Sequence, residues 1–209
     1  MLHKLFPTYV LHEHINLEDG ELDKYKDLVY ELRKQDENYN PHFLTPDAWS
    51  SYSNHKELHK EPVFRKLTTT FLSACTRAAQ ETIRVSNGLD KFEIKDHTAH
   101  ITNMWANIYG KGGRVLEHIH QGTTYAGLFY LNKPKDTAHT YYIDPLEYSK
   151  MMDVHILNNT TGQYKIIGAE TGDLVIWPAY MKHGALVNES DEDKVIISFN
   201  CNFYSSIRK

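Results

Sequence analysis

Cysteine is nearly absent: Cys75 and Cys201 are the only two in 209 residues. They make neither a disulfide framework nor a thiolate metal site. A basic block is missing too. The chain carries 23 Lys and Arg against 27 Asp and Glu, a formal net charge of −4 with its 13 histidines neutral. Electrostatics therefore lend no support to a nucleic-acid or membrane-surface partner. No apolar run approaches the length of a membrane span. The opening MLHKLFPTYVLHEHINLEDGELDK turns acidic early and lacks the apolar centre of a signal peptide. The setting these absences suggest is a reducing cytoplasm. There is also no Gly-rich phosphate cradle, no nucleotide fingerprint and no Ser-His-Asp arrangement.

What is present changes character near residue 98. Before it, helical spacing dominates: in GELDKYKDLVYELRK, Leu22, Tyr25, Leu28, Val29 and Leu32 recur at three- and four-residue steps. A loop rich in Asn, Pro and Ser follows, and Trp49 with the neighbouring SSYSN reads as surface loop, with the lining of a substrate mouth as the alternative. A second helix is predicted from Pro62, with a stripe of Phe64, Leu67, Phe71, Cys75, Ala78 and Ile83 and a stop at Asn87-Gly88. Beyond residue 98 come short strands: HITNMWANIY, RVLEHIH, TYAGLFYLN, HTYYID, DVHIL, QYKII, DLVIWP, HGALVN and KVIISFNCNFY. Gly, Pro, Asn and Asp separate them. Many short strands at close spacing favour a sandwich or barrel over alternating βαβ units. The expected organisation is a helical region, 1–98, packed on a β core, 99–209, in one compact domain.

Within RVLEHIH, His118 and His120 stand one residue apart. Alternation along a strand turns two such rings to the same side. Such a pair is often only solvated, and His12 and His14, a second pair with no strand framework after it, read as surface. A third ligand from a distant strand would change the meaning of the first pair, because three imidazoles can occupy one face of a metal and leave the other open. His183, in TGDLVIWPAYMKHGALVN, fits that place. Lys194 is the other residue of note. It lies in KVIISFN, otherwise an apolar strand, where an inward lysine wants an anionic partner. Asn200 falls on the same strand face. Trp105 and Trp177 read as barrel packing.

These segments resemble the Fe(II)/2-oxoglutarate-dependent dioxygenases. YGKGGRVLEHIH is similar to that superfamily's first metal strand, and GDLVIWPAYMKHGALVNESDEDKVIISFN to its second half. The nearest resemblance is to phage-type oxygenases sharing Leu5-Phe6-Pro7-Thr8, Trp105-Ala106-Asn107, His118-Ile119-His120 and Ser198-Phe199-Asn200. The resemblance implies a mainly β fold with N-terminal helices, the double-stranded β-helix, a jelly-roll or cupin-like barrel with a metal in its mouth. It implies Fe(II) held by His118, His120 and His183. It also implies 2-oxoglutarate as cosubstrate beside Asn107, Tyr109, Lys194 and Asn200, and O2 as oxidant for hydroxylating a further substrate. If the chain is phage-encoded, the compartment is the host cytoplasm.

Two positions depart from the superfamily pattern. His120 stands where Asp or Glu is usual, and Lys194 where Arg is usual, which gives up a bidentate fork. Ile196 also replaces a frequent hydroxyl, a part that Ser198 or a neighbouring Tyr could take. Two alternatives stay open: a three-His cupin-like oxygenase without a 2-oxo acid, and a metal-binding or structural barrel without catalysis. The acidic balance gives no sign of a nucleic-acid partner, nothing points to a membrane, and a homodimer through the helical face is compatible with the sequence.

Overall fold

The computed structural model describes residues 7–36, 44–145 and 164–205. Both helices form where the apolar periodicity predicts them. Helix α1 (Glu21–Gln35) buries Tyr25 and Val29, with Leu22, Leu28 and Leu32 packed partly under it. Pro62 opens a single 3-10 turn, Pro62–Phe64, and α2 (Arg65–Ser86) follows directly. A proline suits that start because it has no N–H to leave unpaired. Along α2, Leu67, Phe71, Ala74, Cys75 and Ala78 recur on one face, and that face is buried. Among the described residues no helix is long and apolar enough to cross a membrane.

The first strands in chain order are β1 (Leu11–His14), β2 (Ala48–Ser50), β3 (His97–Tyr109), β4 (Tyr125–Asn132) and β5 (Thr140–Ile143). Then come β6 (Tyr164–Ile166), β7 (Asp173–Pro178), β8 (His183–Ala185) and β9 (Lys194–Ser205). They form a six-stranded antiparallel sheet, β1-β7-β4-β9-β3-β2, and a three-stranded one, β6-β5-β8. The expected strand DVHIL lies outside the described residues, as do Leu5 and Phe6.

Two local expectations need correction. RVLEHIH is not a regular strand. His118 exchanges both main-chain hydrogen bonds with His183, but two residues later the His120 N–H donates to the Ala179 carbonyl, 3.0 Å away. The segment changes partner before a ladder can build, so only isolated bridges form, at Val115 and His118. Strands β1 and β2 both lie before residue 98, where the periodicity predicts helices and loop alone. Each is short and exists only through pairing with β7 or β3, which no local pattern reports. His12 and His14 are exposed, as expected, yet both have a partner. Each hydrogen bonds an oxygen of Asp173 at 2.8 Å, and the Glu170 N–H donates to the same carboxylate at 2.8 Å. Together they staple β1 to the start of β7. Burial works to raise the Asp173 pKa, but these donors outweigh it and hold the carboxyl below its ordinary value. Gly172 makes the turn into β7 possible: its φ is +88°, and a β-carbon there would meet the His14 ring at 2.6 Å.

Alternation sorts each long strand between two cores. From β9, Val195, Ile197, Phe199 and Cys201 pack with the helices, as do Met104, Ala106 and Ile108 of β3. The opposite faces look between the sheets, where Leu128, Tyr142, Trp177, Ala185 and Ile196 form a second core. Phe199 is the keystone of the first core. It stacks on Phe71 with centroids 4.6 Å apart and pairs across strands with Gly127. A β-carbon on Gly127 would come within 2.3 Å of the Phe199 ring. Gly127→Ala should therefore destabilise the protein by about 1–3 kcal/mol despite the lower chain entropy of alanine. Urea unfolding checks this; an unchanged midpoint would mean that Phe199 can turn aside.

Candidate metal centre

The inner faces of β3 and β9 point into one cavity of about 350 Å³. Trp105, Asn107 and Tyr109 reach it from β3, and Lys194, Ile196, Ser198 and Asn200 from β9, each series at two-residue steps. His118, His120 and His183 line the same space. All seven residues singled out in the sequence thus meet in one place, although His118 and His120 converge through a bent segment rather than by strand alternation.

The three imidazoles are close: ring centroids lie 4.3 Å apart for His118–His183, 5.0 Å for His120–His183 and 5.2 Å for His118–His120. Each offers one ring nitrogen, and the three atoms lie within 4.8 Å of one another. The opposite nitrogens are held. His118 Nδ1 donates to the Leu116 carbonyl at 2.8 Å, and His183 Nδ1 to the Met181 carbonyl at 3.0 Å. A carbonyl only accepts, so both rings carry their proton on Nδ1 and keep a lone pair on Nε2. His120 Nδ1 is held by the Asn200 side-chain oxygen at 2.5 Å. Its Nε2 is buried and has no hydrogen-bond partner. A buried acceptor left so costs about 1–3 kcal/mol unless something electron-poor completes it.

Burial also keeps the rings neutral, as metal ligands must be. It depresses the His118 pKa, pushes His120 down to about 4, and holds His183 well below the ordinary range, where the neighbouring His118 and His120 add to the effect. The donor set fits a divalent transition metal: neutral imidazole nitrogens, preset tautomers and one orphaned acceptor.

Lys194 lines the same cavity. The residue is 1% exposed, and its ammonium donates to the Ala138 carbonyl at 2.9 Å and lies 4.7 Å from the centre of the Tyr109 ring. No carboxylate among the described residues pairs with it. Burial, and then the charge of Lys133, drive its pKa down to about 7. Asn107 Nδ2 donates to Ser198 Oγ at 2.9 Å, so that hydroxyl is already engaged. Thr140 of β5 supplies another hydroxyl to the cavity, 3.1 Å from the Tyr130 hydroxyl.

Sequence reasoning missed several lining residues. Trp105 and Trp177 do more than pack the barrel. Trp105 stacks on His120 with centroids 5.8 Å apart, and Trp177 stands edge-on to His183 at 4.7 Å. The Trp177 Nε1 is buried without a partner. Their two-residue spacing from Asn107 and from Val175 was the available signal. The loop after β2 also divides: Trp49 is buried in the helix-side core, its indole donating to the Asp36 carbonyl, whereas Tyr52 reaches the cavity against Trp105.

Residues 103–200, which include the three histidines and all of the lining named above except Tyr52, match the family model described as "Putative 2OG-Fe(II) oxygenase". Over this stretch the chain is similar to the 2OG-Fe(II) oxygenases. No curated protein matches the sequence significantly. Among solved structures, HygX from Streptomyces hygroscopicus, crystallised with nickel and 2-oxoglutarate, is similar at TM-score 0.59 and 11% identity, over 93% of this chain and 82% of its own. SnoK, a non-haem α-ketoglutarate-dependent carbocyclase of nogalamycin biosynthesis, gives 0.57 and 13%, over 92% and 79%. A Pseudomonas putida prolyl-4-hydroxylase gives 0.54 and 11%, over 92% of both chains. At such identities the likeness establishes the fold: the two sheets are the double-stranded β-helix of 2OG-Fe(II) oxygenases, with the histidine cluster between them.

Proposed function

We propose that this protein is a non-haem Fe(II)- and 2-oxoglutarate-dependent oxygenase that hydroxylates a further substrate. The observation that carries the reading is one cavity with two complementary demands. At one place three neutral imidazoles converge, and the buried Nε2 of His120 lacks a partner. At another a buried ammonium lacks a carboxylate. A five-carbon keto-diacid with a metal at its keto-acid end answers both.

His118, His120 and His183 would hold the iron, and Lys194 would neutralise the far carboxylate. Tyr109 faces that ammonium and adds its ring as a further electron-rich wall. Asn107 and Asn200 bring side-chain amides to the cavity wall, while Val115, Leu128 and Ile196 keep it apolar and help exclude water. When bound, iron and 2-oxoglutarate supply the oxidising chemistry that uses O2; the chain supplies ligands, orientation and a dry cavity. Besides Lys194 the described lining contains no charged side chain apart from the titratable histidines, so nothing fixed competes for the keto-diacid.

Anaerobic addition of Fe(II) and then 2-oxoglutarate should produce a visible metal-to-ligand charge-transfer band. Iron binding without that band would move the reading to a three-His oxygenase that uses no 2-oxo acid, for which the replacement of a carboxylate by His120 is the favouring observation. No iron binding at all would leave a barrel without this chemistry.

A further inference from the structure

The three histidines are not held alike. His118 and His183 each donate Nδ1–H to the carbonyl two residues earlier in their own segment. Their acceptors are main-chain atoms, so no substitution of another side chain removes them. His120 has no such carbonyl. Its Nδ1 meets only the side chain of Asn200, delivered by β9 from 80 positions away. We infer that Asn200 is a positioning residue for His120: its amide oxygen sets the ring's tautomer and aim, so that Nε2 is the nitrogen presented to a metal. The inference rests on the metal-binding reading above, and it replaces a direct part for Asn200 in holding the keto-diacid.

Physical reasons make this contact matter more than an ordinary hydrogen bond. A neutral imidazole has two tautomers, and only the one protonated at Nδ1 leaves Nε2 with a lone pair. Nothing else within the described residues bonds the His120 ring, since its other nitrogen is unpartnered. The amide is itself well placed. Asn200 is 8% exposed, its main-chain oxygen accepts from Thr102 Oγ1, and its strand neighbours lie in the paired centre of the six-stranded sheet. Trp105, stacked against the opposite side of His120, limits the ring's tilt but offers no acceptor to its Nδ1. In the superfamily that the sequence resembles, a carboxylate is the usual ligand at the position of His120. A carboxylate binds through either oxygen without a tautomer to select, whereas an imidazole needs an orienting acceptor.

The test uses the whole protein and two variants that keep the branched shape and heavy-atom count of the side chain. Asn200→Leu removes the acceptor, and Asn200→Asp keeps it. Two readouts are taken: the affinity for Co(II), and the ¹⁵N shifts of the His120 ring in the metal-free protein. Wild type should show His120 protonated at Nδ1. Asn200→Leu should show a tautomer mixture and bind Co(II) about 10- to 100-fold more weakly, the range typical for losing an orienting partner. Asn200→Asp should keep both the tautomer and, within a few-fold, the affinity. Equal affinity and an unmoved tautomer in Asn200→Leu would overturn the inference while leaving the metal centre intact. Equal weakening in both variants would overturn it too, because it would reduce Asn200 to packing. Failure of the wild type to bind Co(II) would instead remove the metal-binding reading and this inference with it.

Discussion

His183→Ala should lose more than about 100-fold in Fe(II) affinity, beyond the range seen when only an orienting partner of a ligand is removed. Two imidazoles would remain, and both belong to the bent segment 118–120, which is anchored on the main chain of His183 itself. The backbone exchange between His118 and His183 does not need the imidazole, so the segment should stay in place and the lost affinity should report the missing nitrogen. The substitution also opens a buried site and frees the Met181 carbonyl, which in the metal-free protein should cost about 1–3 kcal/mol. Metal titration and thermal unfolding separate the two effects. Wild type gains about 2.7 kcal/mol at a hundredfold excess of metal over its dissociation constant, and the variant should gain almost none at the same concentration. Iron retention within a few-fold of wild type would exclude His183 as a ligand. The charge-transfer band with 2-oxoglutarate should vanish with the metal.

The parts legible in the sequence are those carried by local pattern. Helix α2 is legible because Leu67, Phe71, Cys75 and Ala78 keep one face against the sheet, and β9 because its apolar run continues to Cys201. The alternation of β9 alone also places Lys194, Ile196, Ser198 and Asn200 on one side. What stayed hidden depends on partners distant in the chain. Strand β1 needs β7, and the two rings His12 and His14 need Asp173, about 160 positions away. His118 and His120 share a cavity for a reason that alternation did not supply: the backbone swaps from His183 to Ala179 between them. The tie from Asn200 to His120 has no local trace either. Strand periodicity brings Asn200 to the cavity wall, but the group it meets there is fixed by the path of a segment 80 positions earlier.

Lys194→Met should weaken 2-oxoglutarate by about two to four orders of magnitude and yet stabilise the ligand-free protein at mildly acid pH. Both effects come from one buried charge. The ammonium is fully enclosed, and its pKa falls to about 7 in the fold against about 10.4 in an unfolded chain. Below pH 7 the group is charged in both states, and the fold bears the whole burial penalty. Between about 7 and 10.4 the unfolded chain holds a proton that the native one has shed, so stability rises with pH through that window. Methionine fills similar space without charge, at the loss of the hydrogen bond to the Ala138 carbonyl. The ligand-free variant should thus gain on the order of 1 kcal/mol over wild type at pH 6, and the gap should close by pH 10. Breaking a buried ion pair by removing one partner costs about 3–5 kcal/mol, the source of the expected drop in 2-oxoglutarate affinity. Urea unfolding at the two pH values and calorimetry of 2-oxoglutarate on the Co(II)-loaded protein make the comparison. Unchanged 2-oxoglutarate affinity would remove Lys194 from the carboxylate's site. A variant less stable at pH 6 would mean that the ammonium already has a compensating partner, and the cavity would lose its reason to seek an anion.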